Sequence, residues 1–166
     1  MADGITRIAV EGFKSIVKRQ KIEIAPLTIL AGANSSGKSS IMQPLLMLKQ
    51  TLEATYDPGP LKIDGPNVKF TSTDEFLSKT EDGAQRRLRV EIATEELGFE
   101  ATFVKGPQPG LEVIEETYRV RGSSLILRPG MSSQALQDAA RDLSRSNRSL
   151  ITSSPLARSR LVCARG

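Results

Sequence analysis

The 166-residue chain has no histidine, no tryptophan and a single cysteine, and only 4% of its residues are aromatic. Without histidine, imidazole general-base catalysis, the Ser-His-Asp triad and most transition-metal sites are removed in one step. Any metal is then expected to be a hard cation held by oxygen ligands and phosphates. The lone Cys163 rules out an internal disulfide framework and suits a reducing cytoplasm. No apolar run approaches the roughly 18 residues of a membrane span, because Gly32 and Asn34 cut the best candidate short. The opening MADGITRIAV lacks the basic and apolar regions of a secretory signal. These absences predict a cytoplasmic chain with no membrane partner.

What is present is ordinary for a globular domain: 39% hydrophobic and 25% charged residues, in a length that fits one domain. The net charge of +4 is uneven. Residues 121–166 hold eight arginines against Asp138 and Asp142, so the first 120 residues are net acidic. A basic end can meet nucleic acid, but no aromatic side chain interleaves these arginines as a base-stacking surface requires. The plainer reading is a solvated tail.

Three short strands are predicted to open the fold. Ile5, Ile8 and Val10 alternate in ITRIAVEGF, and KIEIA alternates too, so each has one wet face. LTILA (27–31) is a continuous apolar run, predicted to be a strand covered on both faces. A helix should follow from about Lys38 to Ala54, burying Ile41, Leu45, Leu48 and Leu52 and kinked by Pro44. After the turn-rich YDPGPLKIDGPN and a short helical turn near TDEFLSK, four alternating segments between 86 and 128 predict an antiparallel meander. MSSQALQDAARDLSR then reads as an amphipathic helix with Leu136, Ala140 and Leu143 inward. Beyond it, serine and arginine replace periodicity, a composition that predicts poor order.

Between the third strand and the helix stands LTILAGANSSGKSS (27–40), in which Gly32, Gly37, Lys38 and Ser39 fit G-x-x-x-x-G-K-[ST], the Walker A phosphate-binding loop. Backbone N–H groups from about Gly37 to Ser40 would point into one concavity at a helix N-terminus. Gly32 and Gly37 permit backbone conformations that a side chain obstructs. Lys38 would bridge the β- and γ-phosphates, and the Ser39 hydroxyl would take one Mg²⁺ position. Ala33, Asn34, Ser35, Ser36 and Ser40 complete the curve. Hydrolysis also requires an acidic residue at the end of a second strand. The nearest candidates, Asp64 after LKI and Glu115 and Glu116 after LEVI, lie in a turn-rich stretch and in the meander, and read as solvated surface acids.

IAVEGFKSI, IEIAPLTILAGANSSGKSSIMQPLLMLKQTLE and the proline in SSGKSSIMQPLL together resemble the N-terminus of AAA-type ATPases with ABC-like heads, the group that includes SMC, RecF and OLD-family proteins. The resemblance covers residues 5–54, and bacterial ATP-binding proteins, several of which work in phage defence, share it most fully. It implies an α/β fold: a P-loop NTPase-like N-terminal lobe with an antiparallel β-subdomain. Residues 1–143 would form that lobe and 144–166 a Ser/Arg-rich tail. The resemblance further implies ATP and Mg²⁺ as cofactors, and a second lobe or a homodimer partner that completes the site. DNA could be met through the basic tail. Lys14, in GFKSI, matches a family position where a basic residue approaches the phosphates; read without the family it is a surface lysine. Gln43 and Gln50 fall on the loop's own helix and are not candidates for a switch glutamine. The expected function is the ATP-binding part of such an ATPase, in DNA-related or anti-phage work. The alternative is a non-catalytic nucleotide-binding or interaction module.

Overall fold

A computed structural model describes residues 4–34, 36–55, 61–80, 83–84, 86–106, 110–120 and 123–146, without the side chains of 83, 84, 140 and 142–146. The predicted tail, 144–166, thus lies almost wholly outside the described residues. Strands β1 (Arg7–Glu11) and β2 (Gln20–Glu23) form a hairpin, followed by helix α1 (Lys38–Leu52). A 3-10 turn at Thr73–Glu75 precedes the small ribbon of β3 (Lys79–Thr80) and β4 (Gly83–Ala84). The meander is β5 (Arg87–Ala93), β6 (Leu97–Lys105), β7 (Leu111–Val120) and β8 (Ser123–Leu127), and helix α2 (Ser133–Ser146) follows.

Six of these strands form one antiparallel sheet in the order β2-β1-β5-β6-β7-β8. Residues 24–86 leave the sheet after β2, and the chain returns to pair β5 with β1. Everything that concerns the site is carried by that excursion and by the hairpin beside it. The chain is therefore an α/β P-loop NTPase-like lobe with an antiparallel β-subdomain.

The alternation gives the sheet two unlike faces. Ile8, Val10, Leu88, Val90, Ala101 and Phe103 stack across β1, β5 and β6 on the core side. There they meet Ile41, Met47 and Leu48 of α1 and a cluster of Phe13, Phe70 and Phe76, whose ring centroids lie 5.1–6.1 Å apart. A register shift between Thr102 and Phe103 pairs Phe103 with Val113, so Leu111 and Val113 both reach the core.

The opposite face is ionic. Glu91 and Glu100 stand directly opposite each other on β5 and β6, both buried. Arg7 donates to Glu91 at 2.8 Å, and Arg19 donates to both carboxylates. Arg89 reaches Glu11 at 3.4 Å. Burial alone would lower the pKa of Arg19, but the hydrogen bond and charge of Glu100, then those of Glu91, raise it above its ordinary value. Its charge is fully present through the neutral range.

Two expectations are corrected. LTILA is not a buried strand: residues 27–31 belong to no strand, and Leu27, Ile29 and Leu30 are 79%, 78% and 38% exposed. The described residues cover neither face of it, which an apolar run by itself cannot reveal. The helix stripe is also turned. Pro44 and Met47 are buried with Ile41 and Leu48, whereas Leu45 is half-buried and Leu52 exposed. In α2, Ala135, Leu136 and Ala139 are half-buried; the side chains of Ala140 and Leu143 lie outside the described residues. No helix among the described residues is long and apolar enough to cross a membrane.

Candidate functional site

GFKSI, between β1 and β2, closes as a tight turn. The N–H groups of Gly12 and Phe13 donate to Ile16 O, and that of Ile16 donates to Phe13 O. Gly12 (φ 80°) and Lys14 (φ 50°) both adopt left-handed backbone. Segment 76–78 clamps the turn: the Lys14 N–H donates to Phe76 O at 2.6 Å, and the Ser78 hydroxyl donates to Ile16 O at 3.1 Å. Phe13, wholly buried, anchors it from within. The result sets Ser15 against the phosphate-type loop, where a methyl group on Gly37 would lie 3.1 Å from the Ser15 hydroxyl.

Gly32 (φ 151°) and Gly37 (φ 90°) are the left-handed positions among the loop's described residues. A Cβ on Gly32 would come within 2.8 Å of the Ser36 hydroxyl, so glycine is required there by space as well as by torsion. Ala33, Asn34 and Ser36 are exposed along the curve, and Ser35 lies outside the described residues. Lys38 reaches back across the loop, its Nζ donating to Gly32 O at 2.7 Å and Ala33 O at 2.6 Å. One ammonium thus closes the ring that the two glycines make possible.

Helix α1 starts at Lys38 with Gly37 as its N-cap, no side-chain cap hydrogen bond and no acid in its first turn. A helix start normally recruits Ser, Thr, Asp or Asn to satisfy its free N–H groups. Here those donors and the positive end of the helix dipole are left for something else. The Ser39 hydroxyl is exposed at this end, while Ser40 is buried and offers only its backbone.

An open cavity of about 500 Å³ adjoins the loop, lined by Ser15, Ile16, Val17, Lys18, Gln20 and Ser36. No carboxylate lines it. Lys18 makes no hydrogen bond or ion pair among the described residues, whereas Lys14 donates to Gln43 Oε1 at 2.8 Å and lies 5.0 Å from the Phe70 ring. Sequence reasoning singled out Lys14 and missed Lys18 and Gln20. The available signal was their alternation just after the GFKSI turn. Gln50 is buried and serves the fold, exchanging hydrogen bonds with Lys62, Asn67 and Val68. Asp64 pairs with Lys69 and Glu115 with Arg128, while Glu116, expected as a solvated surface acid, is instead buried and accepts from the Tyr118 hydroxyl. No cluster of three or more potential metal ligands occurs among the described residues.

The sequence model of the AAA ATPase domain matches residues 4–152. The chain belongs to that family. AAA ATPase domains bind nucleotide. The chain is also similar to a guanylate kinase of Rhodococcus jostii (strain RHA1), 37% identical over 62 residues. That similarity covers 34% of this chain and spans 30% of the kinase's length.

Proposed function

We propose that this lobe binds ATP with Mg²⁺, the phosphates lying in the Gly32–Ser40 loop and the nucleoside extending toward the cavity beside Ser36. The observation that carries this reading is the uncapped start of α1, with Lys38 folded across the loop in front of it. An anion of several charges is what satisfies such an arrangement. Likeness to a guanylate kinase supports a nucleotide over other phosphate ligands.

The donor set fits a hard cation: Ser39 would supply one oxygen, with phosphate oxygens and water supplying the rest. The bound ion would neutralise phosphate charge. Gly37, Lys38, Ser39 and Ser40 would hold the phosphates by their N–H groups, and Lys38 would add its charge. Lys14, tied to Gln43, would need to release that bond to reach them.

Residues 1–143 would act as one ATP-binding lobe of an ABC-like, SMC/RecF/OLD-related ATPase, with 144–166 as its tail. Exposed Leu27, Ile29 and Leu30 support that reading, since a both-faced apolar segment is built to lie between neighbouring strands. A second lobe or a second copy would supply them. A DNA-related or phage-defence role rests on the resemblance of residues 5–54 alone. The competing reading, a nucleotide-binding module without turnover, is favoured by the engagement of Asp64 with Lys69 and of Glu115 with Arg128.

Titration of a fluorescent ATP analogue with Mg²⁺ into wild type and Lys38→Ala tests the proposal. Loss of the lysine should weaken binding by roughly 10- to 150-fold, the weight of a charge-assisted hydrogen bond of about 1.5–3 kcal/mol. Equal affinities in the two proteins would sink it.

A further inference from the structure

Lys18 and Gln20 line the cavity, and Arg19 stands between them in sequence. Arg19 is the residue of 15–20 that does not line the cavity: its guanidinium donates to Glu91 and, at 2.8 Å, to Glu100, both on the ionic face of the sheet. Residues 17–19 lie outside any strand, between the GFKSI turn and the start of β2, where Gln20 pairs with Val10. Within 17–19, Arg19 is the residue whose side chain bonds to the sheet among the described residues.

The anchor is firm for an electrostatic reason. Glu91 and Glu100 are direct cross-strand partners, and their side chains are only 5% and 10% exposed. Two carboxylates so placed repel each other unless a cation lies between them. Arg7 engages Glu91 alone, Arg89 reaches Glu100 only at 3.9 Å, and Arg119 reaches each acid only at 3.8–3.9 Å. Arg19 is the residue that hydrogen-bonds both. The acids need it as much as it needs them.

We infer that Arg19 is a positioning residue of the nucleotide site: clamped on Glu91 and Glu100, it fixes segment 17–20 so that Lys18 and Gln20 face the cavity beside Ser36. The inference rests on the proposed nucleotide reading and adds a claim of its own. The phosphate loop is built without Arg19, so this arginine governs the nucleoside end of the ligand and leaves the phosphate end untouched.

The test compares two ligands, the Mg²⁺ complexes of ATP and of inorganic tripolyphosphate, by calorimetric titration of the full chain. Arg19→Met should weaken ATP binding about tenfold, the weight of one or two polar contacts. Tripolyphosphate affinity should change less than about twofold, within the scatter of a site left intact. Arg19→Lys should recover part of the loss for ATP, and Glu100→Gln should reproduce the loss in milder form. Tripolyphosphate binding also reports folding, so a variant that merely unfolds loses both ligands. Equal loss of both ligands, or loss of neither, would overturn the inference. Wild-type protein that binds tripolyphosphate no more weakly than ATP would also overturn it, since no nucleoside contact would remain to position. A wild type that binds neither would fell the nucleotide reading, and this inference with it.

Discussion

Gly37, the N-cap of α1, and Gln50, in its last turn, lie about 20 Å apart at 1.5 Å per residue. Gly37 carries left-handed backbone at the helix start, and an added methyl would press on the Ser15 hydroxyl at 3.1 Å. Gly37→Ala should therefore cost roughly 1–2 kcal/mol in torsional strain and turn aside the N–H groups meant for phosphate. The checks are urea unfolding and nucleotide titration, and both should worsen. Gln50 lies 2% exposed with all its hydrogen-bonding capacity spent: Nε2 on Lys62 O and Val68 O, Oε1 on the N–H groups of Asn67 and Val68. Gln50→Leu would remove the acceptor of the Asn67 and Val68 N–H groups, costing about 3 kcal/mol in total, while nucleotide affinity of the folded protein stays near wild type. A large loss of affinity at unchanged stability would contradict the assignment of Gln50 to the fold.

Between neighbouring elements, burial separates what an apolar pattern leaves alike. Ile29 and Leu88 are both large aliphatic residues in apolar surroundings of the sequence, yet Ile29 is 78% exposed and Leu88, on β5, is wholly buried. Ile29→Lys should leave the urea midpoint within about 0.5 kcal/mol of wild type, and Leu88→Ala should cost about 2–5 kcal/mol. A severe loss of stability from Ile29→Lys would mean that segment 27–31 is covered by this chain after all. The meander was legible because strict alternation broken by Gly and Pro turns has one physical meaning. LTILA was not, because an apolar run announces that a cover exists without saying who supplies it. The turns of the loop from Gly32 to Ser39 were legible for a similar reason to the meander, since the spacing of Gly32 and Gly37 matches their left-handed backbone. The cavity was not legible. It depends on Ser15 meeting the loop through a turn clamped by Ser78, and on an arginine whose partners are 72 and 81 residues away.

For the molecule as a whole, the division between binding and chemistry can be argued from where its acids are spent. Glu91 and Glu100 serve the ionic face, Glu115 holds Arg128, Asp74 holds Lys105, and Asp64 lies within reach of Lys69. The cavity next to the loop is lined by hydroxyls, apolar groups, an amide and a lysine, with no carboxylate among them. Phosphoryl transfer to water requires a group that orients the nucleophile and, in P-loop enzymes, an acid that completes the metal's shell. If the proposed cradle has no such group beside it, as none of the described residues lining the cavity is a carboxylate, the lobe should hold Mg·ATP and return it intact. In a single-turnover experiment with protein in excess, phosphate release by wild type is expected to match that of Lys38→Ala, although wild type binds far more of the nucleotide. Release well above the mutant's would require a carboxylate that reaches the loop in the working protein, and Asp64→Asn and Glu116→Gln would then show which acid it is. Release that rises only when a second protein lobe is added would place the missing groups there, against the exposed edge formed by Leu27, Ile29 and Leu30.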